Sequence, residues 1–407
     1  MASTSDVKKE DSPVWQYVPI ADYRLPAAPV IQTARNSLSV LQRLFKRDEA
    51  ETDTLLKQAD ELRMLPRSQI ERIAPALNWR NAAEGLNAQL ADWLEQESPE
   101  QSIIFLVGPP HSGCVEILTT WTEQQAWRML KSPSPEQVMA GNGAWLSDQN
   151  DQCNWVLPGL EKVYLRHAAG LNLVRRFLDR ACSGNFGRGI IGCDSWAWAF
   201  LRHVWHGRQP VALALQAFQQ TQLVEIFQRM ADSADNSPLF FRQSDNGRYV
   251  LPPPETSEGP AKMSNFLQLL AAHSRGNVGI AWALWRAGLR TEPDGSANEE
   301  TGKEDRKQLG QTIWVAPWGQ LKFPSLPPGS GRDEAFVLHT LLLHNGMPGE
   351  FLQQLLPLSP SRTMEMLFRL EGAGLASRHY DDWRVTPLGY PAVRQFLQAN
   401  GYLVDQF

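Results

Sequence analysis

An unbroken apolar run, Ile103-Ile104-Phe105-Leu106-Val107, ends in Gly108 and leads through Pro109-Pro110-His111-Ser112-Gly113-Cys114-Val115 into a helical pattern over 116–129. Such a run, bounded by turn residues, reads as a strand buried on both faces. Strand, glycine-bounded loop and helix in direct succession form the frame in which loop amides and a helix N-terminus hold phosphate. The chemistry of that frame also needs two side chains after the second glycine. A lysine reaches the terminal phosphates, and a Ser/Thr hydroxyl joins the Mg²⁺ shell. Cys114 and Val115 stand at those positions. A neutral thiol supplies no fixed positive charge, and a valine methyl cannot ligate a hard cation that takes oxygen. The backbone frame over Gly108, Pro109, Pro110, His111, Ser112, Gly113 and Cys114 is therefore kept while the groups for hydrolysis are lost. The plain alternative is a ligand-free turn between strand and helix, with His111 a solvent-exposed turn residue.

Two further apolar runs, Trp155-Val156-Leu157 and Gly189-Ile190-Ile191-Gly192, are separated by a helical pattern over 170–181. The alternation predicts an α/β fold with a parallel sheet. A phosphate-transferring site wants an Asp at the end of the first of these strands, and Pro158 is there instead. Glu161 is the remaining carboxylate and the weak catalytic candidate. Its simpler reading is a solvent-facing acid at the head of a helix beginning Glu161-Lys162-Val163, where acids suit the dipole. At the end of the second strand Asp194 either senses a phosphate or, with Ser195, caps the helix carrying Trp196 and Trp198.

The chain has 407 residues, 43% of them hydrophobic, enough for two or three domains and too apolar for wholesale disorder. Its net charge of −5 gives no global basic excess for coating nucleic acid. Cys114, Cys153, Cys182 and Cys193 show neither a CxxC pair nor zinc spacing, which suits a reducing cytoplasm. No stretch approaches the roughly 18 apolar residues of a membrane span, so no membrane insertion is expected. Most of the 15 tryptophans sit on helical apolar patterns and read as core.

Pattern and punctuation divide the chain into a flexible, proline-punctuated arm (1–34), an amphipathic helical region (35–80) and the α/β segment (81–210). A helical segment follows (211–291), its pattern beginning directly after Pro210 and interrupted by a loop over about 232–260. A polar linker with a short strand at Thr312–Val315 comes next (292–332). Residues 333–407 read as three helices, a two-stranded hairpin and a final helix over 387–399. The third helix opens on Ser359-Pro360, an N-cap followed by proline. That order is the winged version of helix-turn-helix. Arg362 and Arg369 on the third helix are its candidate contacts to DNA or a protein partner. From Gly331 onward six arginines face eight carboxylates, a balance of −2 with no lysine, which favours a protein partner.

The loop GPPHSGC, the strands WVLPGLE and GIIGCDSW, the helix LALQAFQQTQLVEIFQRM and the segment HSRGNVGIAWALW together resemble the AAA+ and STAND class of P-loop NTPases. The likeness is to the branch containing origin-recognition ATPases and spans about 81–289. It implies a P-loop NTPase-like sheet, a helical lid over 211–291 and a winged helix behind it, with Arg275 as a second-sensor arginine reaching phosphates. It also implies ATP or ADP with Mg²⁺ as ligand, weak or absent here because the lysine, Ser/Thr and Asp are missing. The reading is a cytoplasmic regulator or scaffold with a degenerate nucleotide site, holding protein partners through its N-terminal helices and winged helix. The alternatives are an ATP-binding conformational switch and a winged-helix DNA-binding regulator.

Overall fold

In the first part of the chain the elements are β1 (Tyr17–Pro19), β2 (Arg63–Met64), α1 (Arg67–Ile73), α2 (Arg80–Glu95), β3 (Ile103–Gly108), α3 (Cys114–Gln125), β4 (Arg128–Met129), α4 (Pro135–Ala140) and α5 (Ala144–Ser147). The central part holds β5 (Trp155–Leu157), α6 (Asn172–Cys182), β6 (Gly189–Asp194), α7 (Ser195–Val204), β7 (Val211–Leu215), α8 (Gln220–Asp232), β8 (Leu239–Gln243), α9 (Phe266–His273) and α10 (Val278–Gly288). Then come β9 (Leu289–Thr291), β10 (Gln311–Val315), α11 (Arg332–Leu343), β11 (Met347–Pro348), α12 (Gly349–Leu355), α13 (Pro360–Gly372), β12 (Ala376–His379), β13 (Asp382–Val385) and α14 (Tyr390–Ala399). This computed structural model describes residues 14–27, 62–97, 99–141, 144–147, 153–184, 186–207, 210–232, 238–253, 261–293 and 311–407.

The main sheet has the order β1-β7-β3-β6-β5-β4. Its last five strands are mutually parallel, and β1 pairs antiparallel with β7 along the edge. Every residue of β3 and β6 is buried, as continuous apolar strands covered on both faces must be. The expected parallel α/β fold is what forms.

Four expectations change. Residues 17–19 of the supposed unstructured arm form β1, because buried Trp15 and Tyr17 anchor it and Pro19 falls where an edge strand tolerates a missing donor. Val211–Leu215 is not the start of a helix but strand β7, paired with β3; a short apolar run fits either period, and the open sheet edge decides. The loop expected over about 232–260 contains β8, and β8 joins β10, β9 and β2 in a second, four-stranded sheet. The segment expected to be a helical lid is therefore mixed. The helix expected to reach Met129 ends at Gln125, where Ala126 turns left-handed (φ 51°) and frees residues 128–129 for β4. Residues 35–61 of the predicted amphipathic helical region and 294–310 of the polar linker lie outside the described residues.

At the C-terminus α11, α12 and α13 precede the β12–β13 hairpin, and β11 adds a third strand to it. Ser359 Oγ accepts from the Arg362 amide, the expected cap of α13. This is the element order of a winged helix.

Candidate functional site

Strands β3, β5 and β6 end together at Gly108, Leu157 and Asp194. Parallel sheets present ligand sites at such carboxyl ends. A cavity of about 560 Å³ opens there, lined by the whole loop from Gly108 to Val115, by Glu161 and Asp194, and by Asn345 and Arg384 from the C-terminal unit. The loop residues, Glu161 and Asp194 expected from the sequence thus converge on one site.

The loop is held tightly from behind. Gly113 has φ 82°, and a Cβ there would lie 2.2 Å from the Trp79 ring, so only glycine fits. Asn277 Nδ2 donates to the Pro110 carbonyl at 2.7 Å. Gly279 presses on the His111 carbonyl, which would stand 2.0 Å from any Cβ. The segment expected to carry a phosphate sensor does reach the loop, but through Asn277 and Gly279. Arg275, between α9 and α10 with φ 54°, instead donates from Nε to the Phe407 carbonyl at 2.8 Å and does not line the cavity.

His111 is not the exposed turn residue expected. Its Nε2 is buried without a partner, its ring meets Tyr390 edge-on at 6.2 Å, and burial pushes its pKa down to about 4. At neutral pH it offers phosphate no positive charge. Cys114, at the lysine position, donates from Sγ to the Leu106 carbonyl at 3.3 Å, turned back on the strand. Burial, then the nearby Glu161, raises its thiol pKa well above the usual range, so no thiolate forms. Val115 presents a methyl surface to the cavity.

Glu161 is also not solvent-facing. It is 2% exposed, on a single 3₁₀ turn, and its carboxylate accepts the Asp194 amide at 3.0 Å. Asp194 Oδ1 accepts from the Trp196 amide at 2.9 Å, the helix cap that was one of its two readings. Burial raises the pKa of both carboxyls, and Glu161 raises that of Asp194 further. Burial and, for Asp194, the neighbouring Glu161 charge both disfavour a doubly charged pair here.

The cations that sequence reasoning missed come from other elements. Lys162 Nζ donates to the Gly346 and Asn345 carbonyls at 2.7 and 3.2 Å and pairs with Asp382 at 3.8 Å. Lys131, following β4, and Arg384, on β13, also line the cavity. Lys162 beside Glu161 was a visible signal; Arg384 reaches the site only through the docking of the C-terminal unit. The donor set does not fit Mg²⁺, since Val115 and Pro158 stand at the oxygen positions and both nearby acids are desolvated. On α13, Arg362 pairs with Asp333 and Glu365, and Arg369 with Glu334, so neither candidate contact offers an unpaired charge.

A glycine loop joins a central parallel strand to a helix, a mixed helical segment packs on that loop, and a winged-helix element order follows. This is a parallel α/β fold with a glycine-bounded strand-to-helix loop at the carboxyl end of its sheet. No family model matches the chain, and no curated protein matches it. Among solved structures it is similar to Cdc6p from Pyrobaculum aerophilum (12% identity, TM-score 0.32, 81% of this chain and 98% of that one). A RuvB variant from Thermotoga maritima aligns at 13% identity and TM-score 0.31, over 84% of this chain and 96% of that one. A Walker-type ATPase of Pyrococcus abyssi aligns at 11% identity and TM-score 0.29, over 77% and 95%. Among the described residues no helix is long and apolar enough to cross a membrane.

Proposed function

We propose that this AAA+-like protein is a cytoplasmic regulator or scaffold whose nucleotide site has lost hydrolysis and binds Mg·ATP weakly or not at all. The observation that carries the reading is Cys114, whose neutral thiol is bonded back to Leu106 where a phosphate-reaching cation is needed. Val115 and Pro158 remove the metal side of the site, and lost ligands of this kind have no substitute among the loop side chains. Free cysteines accord with a reducing compartment. Partner proteins would be held by the N-terminal region and the winged-helix unit.

One observation favours a second reading, an ATP-binding switch without hydrolysis: the cavity remains open at about 560 Å³, with Lys131 and Arg384 on its wall. A DNA-reading role is the weakest of the three, because Arg362 and Arg369 are already paired with acids of the same unit. Calorimetric titration with ATP and ADP, with and without Mg²⁺, decides between the first two. The expected result is no saturable Mg²⁺-dependent binding up to about 1 mM, weaker than about −4 kcal/mol. Micromolar Mg²⁺-dependent affinity overturns it. Joint Cys114→Lys and Val115→Thr replacement restores the missing groups and is expected to gain at least about tenfold in Mg·ATP affinity, roughly 1.4 kcal/mol.

A further inference from the structure

A second cleft, of about 440 Å³, lies where the α/β unit meets the C-terminal unit and shares no lining residue with the loop cavity. Arg166 and Phe200 come from one side, and Arg332, Phe336, His339 and Tyr402 from the other. No carboxylate lines it, and Arg332 makes no ion pair among the described residues. Its guanidinium instead lies over the Phe336 ring at 5.0 Å. Two guanidiniums therefore line one cleft with no carboxylate among its described lining residues, and both can donate to an anion.

The floor of the cleft supplies an independent sign. Arg166 Nη1 stands 3.1 Å from His339 Nδ1. A guanidinium only donates, so Nδ1 accepts and the ring proton belongs to Nε2. That nitrogen is buried with no partner, on a side chain only 5% exposed. Burial, reinforced by Arg166, pushes the His339 pKa down to about 4, which keeps this neutral tautomer at pH 7. An orphaned buried donor is costly and unusual. The remaining walls are aromatic: Tyr402 meets His339 edge-on at 4.9 Å and Phe336 at 6.5 Å.

We propose that this cleft is a binding site for a small aryl phosphate monoester, its phosphate held between Arg166 and Arg332 above His339 and its flat ring against Phe336 and Tyr402. Planar, forked guanidiniums match the several oxygens of a phosphate better than a single carboxylate does. Bare phosphate would satisfy the charges but leave the rings in water. A cleft of this volume falls within the usual range of roughly 300–1,000 Å³ for small-ligand sites.

The test is calorimetric titration of the full chain with phenyl phosphate, inorganic phosphate and benzoate. Phenyl phosphate is expected to saturate with an affinity at least about fivefold above either of the others. Arg332→Gln, at an exposed helix start, is expected to weaken it about tenfold without loss of folding. In protein labelled with ¹⁵N-histidine, the Nε2 proton of His339 should shift on binding. Absence of saturation at about 10 mM overturns the proposal, this being weaker than any useful affinity. So does benzoate binding as well as phenyl phosphate. Unchanged affinity in Arg332→Gln also overturns it, since it would place the ligand elsewhere, including at the glycine loop.

Discussion

At the residue scale, His344 shows how one side chain ties the two units together and makes that tie depend on pH. It is 1% exposed; the Arg166 amide donates to its Nε2 at 3.4 Å, and Nδ1 faces the Glu161 carbonyl, also at 3.4 Å. Both contacts require the neutral ring with its proton on Nδ1. Burial lowers its pKa to about 3, with Lys162, His339 and Arg166 adding to the effect against the Glu161 carbonyl. Because the unfolded histidine titrates near 6.5, the unfolded chain binds more protons below that pH. The stability is complete above about pH 6.5 and is lost as pH falls from there toward about 3. Each such histidine contributes a slope of up to about 1.4 kcal/mol per pH unit. Denaturant titrations between pH 4 and 7 should therefore show stability falling with acid, and His344→Gln should reduce that slope. Glu161 and Asp194, whose pKa values are raised, act in the opposite sense, losing stability as pH rises through their folded values. An unchanged slope in His344→Gln would remove this histidine from the account.

At the element scale, the contact of α10 with the glycine loop is decided by backbone proximity. Gly279 has no positive φ, so alanine there strains nothing locally; its Cβ would collide with the His111 carbonyl alone. Gly279→Ala must therefore push α10 off the loop, at a cost of about 1–3 kcal/mol as for other overpacked sites. Thermal unfolding reads the cost, and an increase or no change in Tm contradicts the assigned packing. Much of the element order was legible: β3, β5, β6 and the capped helix α13 each carry a strong local signal, apolar continuity in the strands and Ser359-Pro360 in the helix. The misreadings fell where local signal is short. Residues 211–215 and 239–243 are five-residue strands whose period does not separate strand from helix, and sheet edges supplied by distant segments decided them. The site divided the same way. The loop and the absence of its lysine were visible in sequence, whereas the burial of Glu161 and of the His111 Nε2, the turn of Arg275 toward Phe407 and the arrival of Arg384 depend on how whole units dock.

At the scale of the whole molecule, that docking is the feature a regulator would use, and Lys162 is its clearest single link. Its ammonium donates to the carbonyls of Asn345 and Gly346 in the turn between α11 and β11, while Tyr164 Oη donates to the Leu343 carbonyl at 2.8 Å just before it. Two opposing terms set the value of Lys162. Removing it leaves two carbonyls short of a donor, about 1–3 kcal/mol if they stay dry. Burial also lowers the lysine's pKa, so part of the charge's desolvation cost is recovered on removal. The side chain keeps 32% exposure, so water can reach the vacated place and the smaller figure applies. Lys162→Met, similar in length, should therefore cost about 1 kcal/mol. The loss should be local: amides over 343–348 exchange several-fold faster with deuterium, while those of β3 and β6 stay protected because their fully buried ladder is untouched. Equal acceleration in β3 would mean that the two units open only by global unfolding. In that case the C-terminal unit could not move independently of the glycine loop, and a switching role for the interface would fail while the scaffold reading stood.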